Sequence, residues 1–334
     1  MLIRWTLFFA SLALLALIVV DAGPFRIAAD LHAQGWAILP FIALSAVENG
    51  LHSISCRRCI VPAFRPGISA GRMFLLYHLA YAINLVTPTG DVGGDIARGL
   101  AMGKQIPPAE AASAVLINKF TFSIARMGVA GLCAGIAVLT FPMQPRETLI
   151  IGAGSALTLA ALVLFAVFQA RGLLGAALVR VARLGGRRRQ DWMRRHATEL
   201  DEALRTFYRR HRRDLAASIG FDALGFLVGA AQRIFLMRVL LGPHALAPAV
   251  LILAGLGVWG ITTLADMIFF FVVGRLGIRE GASRAAFQAV GLSGSTGVSV
   301  SVVDRIDQLF WTFVGLGVYA ALRLRRPAIQ PEPE

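Results

Sequence analysis

Sixteen residues of this chain carry unusual chemical density for their surroundings. "NLVTPTGDVGGDIARG", Asn84 to Gly99, holds two aspartates, an arginine, a proline and four glycines, directly after the apolar run "MFLLYHLAYAI". Gly90, Gly93 and Gly94 allow close approach by a ligand or by another backbone. Pro88 ends the incoming helix. A helix starting near Gly94 would aim its positive dipole end and its free N–H groups at the turn. Asp95 lies in that helix's first turn, where it caps free N–H groups or orders cations. Arg98 follows one turn later. A basic, dipole-backed turn of this kind suits a phosphate, as on a lipid headgroup.

Other ionisable residues interrupt apolar runs. Each costs about 2.5–3.5 kcal/mol on insertion scales, so such groups face a cavity or a partner. Glu48 and His52, four apart, share a helix face and form a candidate proton site. Asn118, Lys119 and Arg126 mark a later span; Asp222 and Arg233, then Asp266, then Asp304, Arg305 and Asp307 mark those that follow. Mutual pairing that holds a bundle together would explain any one of them. Arg98, Lys119 and Arg305 taken together are expected to line a cationic cavity. No nucleophile elbow, HExxH or Walker loop is present, so no catalytic residue and no cofactor is assigned. "CRRC", Cys56 to Cys59, cannot close a tetrahedral zinc site alone; with Cys133 it reads as helix-end cysteine, and no metal is expected.

The elements that must position these residues follow from composition. Of 334 residues 57% are hydrophobic, and mean hydropathy is +0.68, too apolar for a soluble domain. Apolar segments lie at about 4–21, 35–56, 72–88, 109–141, 147–170, 215–241, 248–273, 284–303 and 305–322. Several approach the ~20 residues needed to span a bilayer. They are continuous rather than alternating, which excludes a barrel. The expectation is a single all-α polytopic membrane domain with about six to eight transmembrane helices. The apolar run from Trp5 to Val20 is long for a signal peptide and reads as an uncleaved first span. Net charge is +14, almost all arginine. The positive-inside rule accounts for this better than nucleic acid does.

Between the fifth and sixth segments, Ala170 to Asp214 carries thirteen arginines against five acids. That loop belongs in the cytoplasm. It forms either amphipathic helices on anionic headgroups or a solvated linker. Arg4 sets the N-terminus inside as well. Arg57, Arg58, Arg65 and Arg72 also want the inside, as do Arg98 and Lys104. A full span at 72–88 would put one group outside, so 72–98 is expected to be a re-entrant hairpin with "TPTGDVGGD" at its tip. "GRLGIREGASR", from Gly274, repeats the pattern: Gly274, Gly277, then Glu280, then an arginine. Asn118-Lys119 falls opposite Asp304-Arg305, with 23 residues from Asp95 to Asn118 and 24 from Glu280 to Asp304. Two units of opposite orientation, 1–141 and 147–322, form an expected inverted repeat with broken helices near the midplane. "RLRRP" then returns the C-terminus to the cytoplasm.

These motifs resemble the lysylphosphatidylglycerol-synthase transmembrane-region (flippase-like) family of integral membrane proteins. Its first signature reads here as Pro88, Gly93-Gly94-Asp95 and Arg98. Its second reads as Gly274, Gly277 and Glu280, with Val273 in place of a proline. An acid-arginine pair in the span after each hairpin is kept as Asp304-Arg305, while Asn118-Lys119 keeps only the positive charge. The resemblance implies a bacterial inner-membrane location and lipid translocation or help to lipid-modifying pathways. Length and the "TPTGDVGGD" wording are similar to stand-alone members associated with hopanoid biosynthesis.

The expected function is therefore a lipid translocase or lipid-binding transporter for an anionic or phosphate-bearing amphiphile. Arg98, Lys119 and Arg305 would bind the headgroup, with Asp95 and Glu280 capping helices or ordering those cations and Asp304 counted among the substrate-site residues. Partners would be membrane lipid, an anionic lipid surface against 170–214, and lipid-biosynthesis proteins. Two alternatives stay open: a membrane-embedded transferase acting on a lipid carrier, and a non-catalytic scaffold of a lipid-biosynthetic complex.

Overall fold

The computed structural model describes residues 20, 35–86, 92–170, 187–242, 245–269 and 277–324. The 4–21 segment, Pro88, Gly90, Gly274 and 171–186 of the basic loop lie outside or almost wholly outside these residues. Proline and glycine punctuate the chain. Pro108, Pro145 and Pro248 each open a helix, a position where the missing N–H costs no bond. Gly242, at φ +85°, closes another. The described residues form α1 (Ile38–Arg58), α2 (Ala70–Val86), α3 (Gly93–Met102), α4 (Pro108–Thr140), α5 (Pro145–Ala170), α6 (Arg187–Arg210), α7 (Arg212–Leu241), α8 (Pro248–Ile268), α9 (Ile278–Ala289) and α10 (Gly294–Leu324). No strand occurs among them.

Among the described residues, five stretches are long and apolar enough to cross a membrane: Gly35–Arg58, Pro108–Thr140, Pro145–Phe165, Arg212–Leu241 and Pro248–Ile268. The chain is an all-α polytopic membrane protein. Helices α3 and α9, of 10 and 12 residues, reach only about 15 to 18 Å at 1.5 Å per residue, roughly half a hydrocarbon core. The two apolar segments expected at 284–303 and 305–322 are corrected. Residues from Gly294 onward form one helix of 31 residues, preceded by the separate short α9. Asp304, Arg305 and Asp307 interrupt the hydropathy but not the backbone hydrogen bonds.

Element order repeats along the chain. A long helix, a helix paired with a short one, and a second long helix occur as α1–α4 and again as α7–α10. The packing follows that order: α1 lies on α7, α4 on α8, and α2 on α10. Between α1 and α7, Ser55 meets Ser218, His52 meets Asp222, and Gln232 donates to the Phe41 carbonyl. Residue numbers rise on one helix as they fall on the other, so the two run antiparallel. The α2–α3 pair is held by absence of a side chain. A β-carbon on Gly94 would lie 1.9 Å from the Ala80 carbonyl oxygen.

The basic segment ends in α6, whose Leu200, Leu204 and Phe207 are buried against Ile60, Ile68, Met73 and Ile106. The described part of α6 thus turns its apolar face to protein, where a lipid surface was one expectation. Helix α5 does the reverse. Leu149, Leu157 and Leu164 are exposed, as a lipid-facing surface requires.

Candidate functional site

The site is built twice, once from each short helix. In the first, Asp95 stands in the opening turn of α3. Its Oδ1 accepts from the Arg98 guanidinium at 3.0 Å and its Oδ2 from Lys119 Nζ of α4 at 3.0 Å. Asp95 therefore orders cations, the second of its two expected roles. The Gly94 N–H goes to the Asn84 side chain of α2 at 2.7 Å, so the side chain capping this end of α3 comes from the neighbouring helix. Arg98 is buried; it also reaches Cys56 at 2.8 Å and Asn118 at 3.1 Å. Cys56 in turn donates to Asn118 at 2.9 Å. All three cysteines are free and buried, and Cys56 stands behind Arg98 rather than on the cavity wall.

In the second, Glu280 occupies the matching place in α9. Its Oε2 accepts the Gly277 N–H at 2.8 Å, and its Oε1 accepts from Arg305 Nε of α10 at 2.9 Å. Gly277 sits at φ +75°, a left-handed conformation that favours glycine. Glu280 thus caps its own helix and orders a cation. Arg305 also donates to Gln308 at 2.8 Å. The acid-to-cation spacing is 24 residues in the first case and 25 in the second.

Both constructions face one cavity of about 310 Å³. Glu48, Phe122, Phe226 and Gln308 line it, and each lies close to the middle of α1, α4, α7 or α10. Of the expected headgroup and proton-site residues, Arg98, Lys119, Arg305, Asp95, Asp304, Glu48 and His52 line the cavity; Glu280 stands behind Arg305. Gly93 opens α3 and is not among the residues lining the cavity. Three further arginines complete the lining. Arg233 pairs with Asp304 at 2.6 Å, and Arg126 with Asp266 at 3.5 Å. Arg279 lies 3.9 Å from Asp266 and 3.7 Å from Asp304. Sequence reasoning passed over Arg279, although it adjoins Glu280 in "GIREG".

The expectation of a cationic cavity is refined by these distances. Each of the six Arg and Lys side chains lining the cavity, among the described residues, has a carboxylate within 4 Å or shares one. The wall is made of ion pairs. What differs between them is access: the Lys119 side chain is 41% exposed, against 5% for Arg98 and 16% for Arg305. Lys119 can exchange its carboxylate for a ligand's anion at least cost in desolvation. Arg98 spends its donors on Asp95, Asn118 and Cys56. No group of three or more metal-ligating side chains that could hold an ion occurs among the described residues.

Searches of curated proteins and of solved structures give no match. Residues 4–317 match the family described as the lysylphosphatidylglycerol synthase TM region. That match covers nearly the whole chain, agrees with the two acid-cation motifs and the helical membrane fold, and makes this chain a member of that family.

Proposed function

We propose that the protein is a lipid translocase, or lipid-binding transporter, for an anionic or phosphate-bearing amphiphile. The observation that carries this reading is the polar cavity at the mid-length of four long helices, with an acid-cation pair from each short helix on its wall. A polar chamber halfway along membrane-length helices is where a headgroup would rest during crossing. Irregular backbone at that depth is tolerated where it lines a cavity. In this reading α2–α3 and α8–α9 are re-entrant hairpins, and α1–α4 and α7–α10 are the units of an inverted repeat, as in transporters with broken helices. Antiparallel α1 and α7 support it. With the expected units 1–141 and 147–322, α5 opens the second unit in sequence order, and α6 lies in the basic loop.

Lys119 is the principal headgroup cation, held by Asp95, which it shares with Arg98, while Glu280 holds Arg305 and Asp304 holds Arg233 and Arg279. The role is transport without covalent chemistry. Arginine-rich ends of α1, α6 and α7 set the cytoplasmic side of a bacterial inner membrane, with both termini on it. The exposed arginines there contact anionic lipid or lipid-biosynthesis proteins, and a link to hopanoid or envelope lipid synthesis belongs to the same proposal. The test is transbilayer movement of headgroup-labelled phosphatidylglycerol in vesicles containing the purified protein. Lys119→Gln is expected to slow that movement at least about tenfold, or about 1.4 kcal/mol, with the fold intact. An unchanged rate would overturn the assignment of Lys119.

A further inference from the structure

The transport reading leaves one set of buried groups unused. His52 of α1 sits between two carboxylates from different helices. Its Nδ1 lies 2.8 Å from Asp222 of α7, and its Nε2 lies 3.7 Å from Glu48. Glu48 is 23% exposed and lines the cavity, whereas the Asp222 side chain is fully buried. From Asp222 the polar groups continue. Its Oδ2 accepts from Ser55 at 2.6 Å and from Thr121 of α4 at 3.5 Å. Ser218 meets Ser55 at 2.8 Å and Thr121 at 2.9 Å, and lies 3.2 Å from Cys59 Sγ. All are buried. One helical turn beyond Ser218 stands Asp214, 15% exposed and paired with Arg58 and Arg65 at the arginine-rich end.

The same helix seam is different on the other side of Glu48. There Phe41 packs with Leu236 and Met237. A mere clamp between α1 and α7 would need polarity on neither side in particular. Polar groups occur on the Phe41 side too, with Gln232 on the Phe41 carbonyl and Ser45 on Asp307. From His52 toward the arginine-rich end, however, the hydroxyls of Ser55, Thr121 and Ser218 form one hydrogen-bonded series on Asp222.

Charge around His52 comes from several elements. Glu48 is on its own helix and Asp222 on α7; the Arg98 guanidinium of α3 acts through space on Asp222, and Asp307 of α10 lies within electrostatic reach of Glu48. Phe122 of α4, Phe226 of α7 and Tyr77 of α2 present rings to the imidazole at 5.0, 4.6 and 6.2 Å. Two ionised carboxylates are acceptors only, while a neutral imidazole offers a single N–H. Protonating His52 sets a cation between both acids, hydrogen-bonded to Asp222 and 3.7 Å from Glu48, and removing that proton leaves one acid facing a lone pair.

We infer that translocation by this protein is proton-coupled, with His52 as the proton carrier between the cavity and the arginine-rich end of α1 and α7. Glu48 takes a proton from cavity water and passes it to His52 Nε2. Asp222 takes the proton on Nδ1, restoring a neutral ring. Ser55 and Ser218, with Thr121 beside them, each accept one proton and donate another. The proton leaves Ser218 for the Asp214 carboxylate one turn on, which releases it to water at the arginine-rich end. The imidazole, now protonated on Nε2, turns over to its Nδ1–H form before the next transfer. The inference rests on the transport reading above for what the proton drives.

Vesicles with internal pH dye and labelled phosphatidylglycerol separate the two ideas. A gradient of about one pH unit should change the wild-type translocation rate or final lipid distribution by up to about tenfold for one proton per lipid. His52→Gln and Asp222→Asn should bring the ratio of rates with and without gradient to about one. Wild-type movement that ignores the gradient overturns the coupling and leaves the transport reading standing. If no lipid moves, the transport reading fails, and the dye decides the relay: proton entry lost in His52→Gln keeps it, and no entry in wild type overturns it. If both variants fail to fold, nitrogen NMR of the wild-type ring decides. A His52 that changes charge while bonded to Asp222 supports the carrier, and one that keeps a single charge state across the folded range overturns it.

Discussion

The two short helices use the same device and differ in how tightly they close it. Asp95 on α3 and Glu280 on α9 each stand in a first turn and each hold a cation from the following long helix, 24 or 25 residues on. Glu280 is 1% exposed, caps its own helix through the Gly277 N–H and pairs with a half-buried arginine. Asp95 is 17% exposed, leaves the Gly94 N–H to Asn84, and divides its oxygens between Arg98 and the more open Lys119. A carboxylate that both caps and pairs is anchored twice. One shared between two cations, one of them accessible, can release the accessible partner. The α9 pair is therefore the more closed of the two, and the α3 pair the more open, the half that the proposed headgroup would meet first.

Removing the more closed pair should cost most. Glu280→Ala leaves Arg305 without its buried partner and Gly277 without its cap, and is expected to lose about 3–5 kcal/mol of stability, read as the unfolding midpoint in detergent. A loss as small as that of an exposed pair would erase the contrast between the two helices. Asp95→Ala strips two charged hydrogen bonds from a partly open site, with an expected loss of about 1.5–3 kcal/mol. A loss larger than Glu280→Ala in the same assay would reverse the ranking. Gly94→Ala drives a β-carbon into the Ala80 carbonyl and must push α3 off α2, at about 1–3 kcal/mol. It should also disturb the Asn84 cap, visible as faster amide exchange at the start of α3. Lys119→Met comes last in stability, at about 0–1 kcal/mol for so exposed a pair, yet should damage lipid handling more than its stability loss explains. Stability and transport falling in proportion would count against the open-half assignment.

Much of this arrangement was legible in the sequence because it depends on local spacing. Asp95 and Arg98 are one turn apart, Glu48 and His52 likewise, and the distances from Asp95 to Lys119 and from Glu280 to Arg305 differ by one residue. Helical periodicity converts such spacings into shared faces. What stayed hidden needed tertiary contact. Asn84 caps a helix that begins about ten residues further along the chain. Asp222 gains meaning only when α7 lies antiparallel on α1. The division at 305 failed because hydropathy registers Asp304, Arg305 and Asp307 as a break, whereas a helix keeps its backbone bonds whatever its side chains carry. Helix α6 was ambiguous for another reason. An amphipathic face reads the same whether lipid or protein covers it, and only the packing of Leu204 and Phe207 against Ile60 and Met73 chooses between them.

Mass spectrometry of lipids that co-purify with the gently solubilised protein tests the headgroup site most directly, with Lys119→Met as the comparison. One anionic lipid class is expected to be enriched over bulk membrane in the wild type and lost from the equally folded variant. Bulk lipid composition in both proteins would contradict it, and would leave the ion pairs around the cavity as fastenings of the helix bundle.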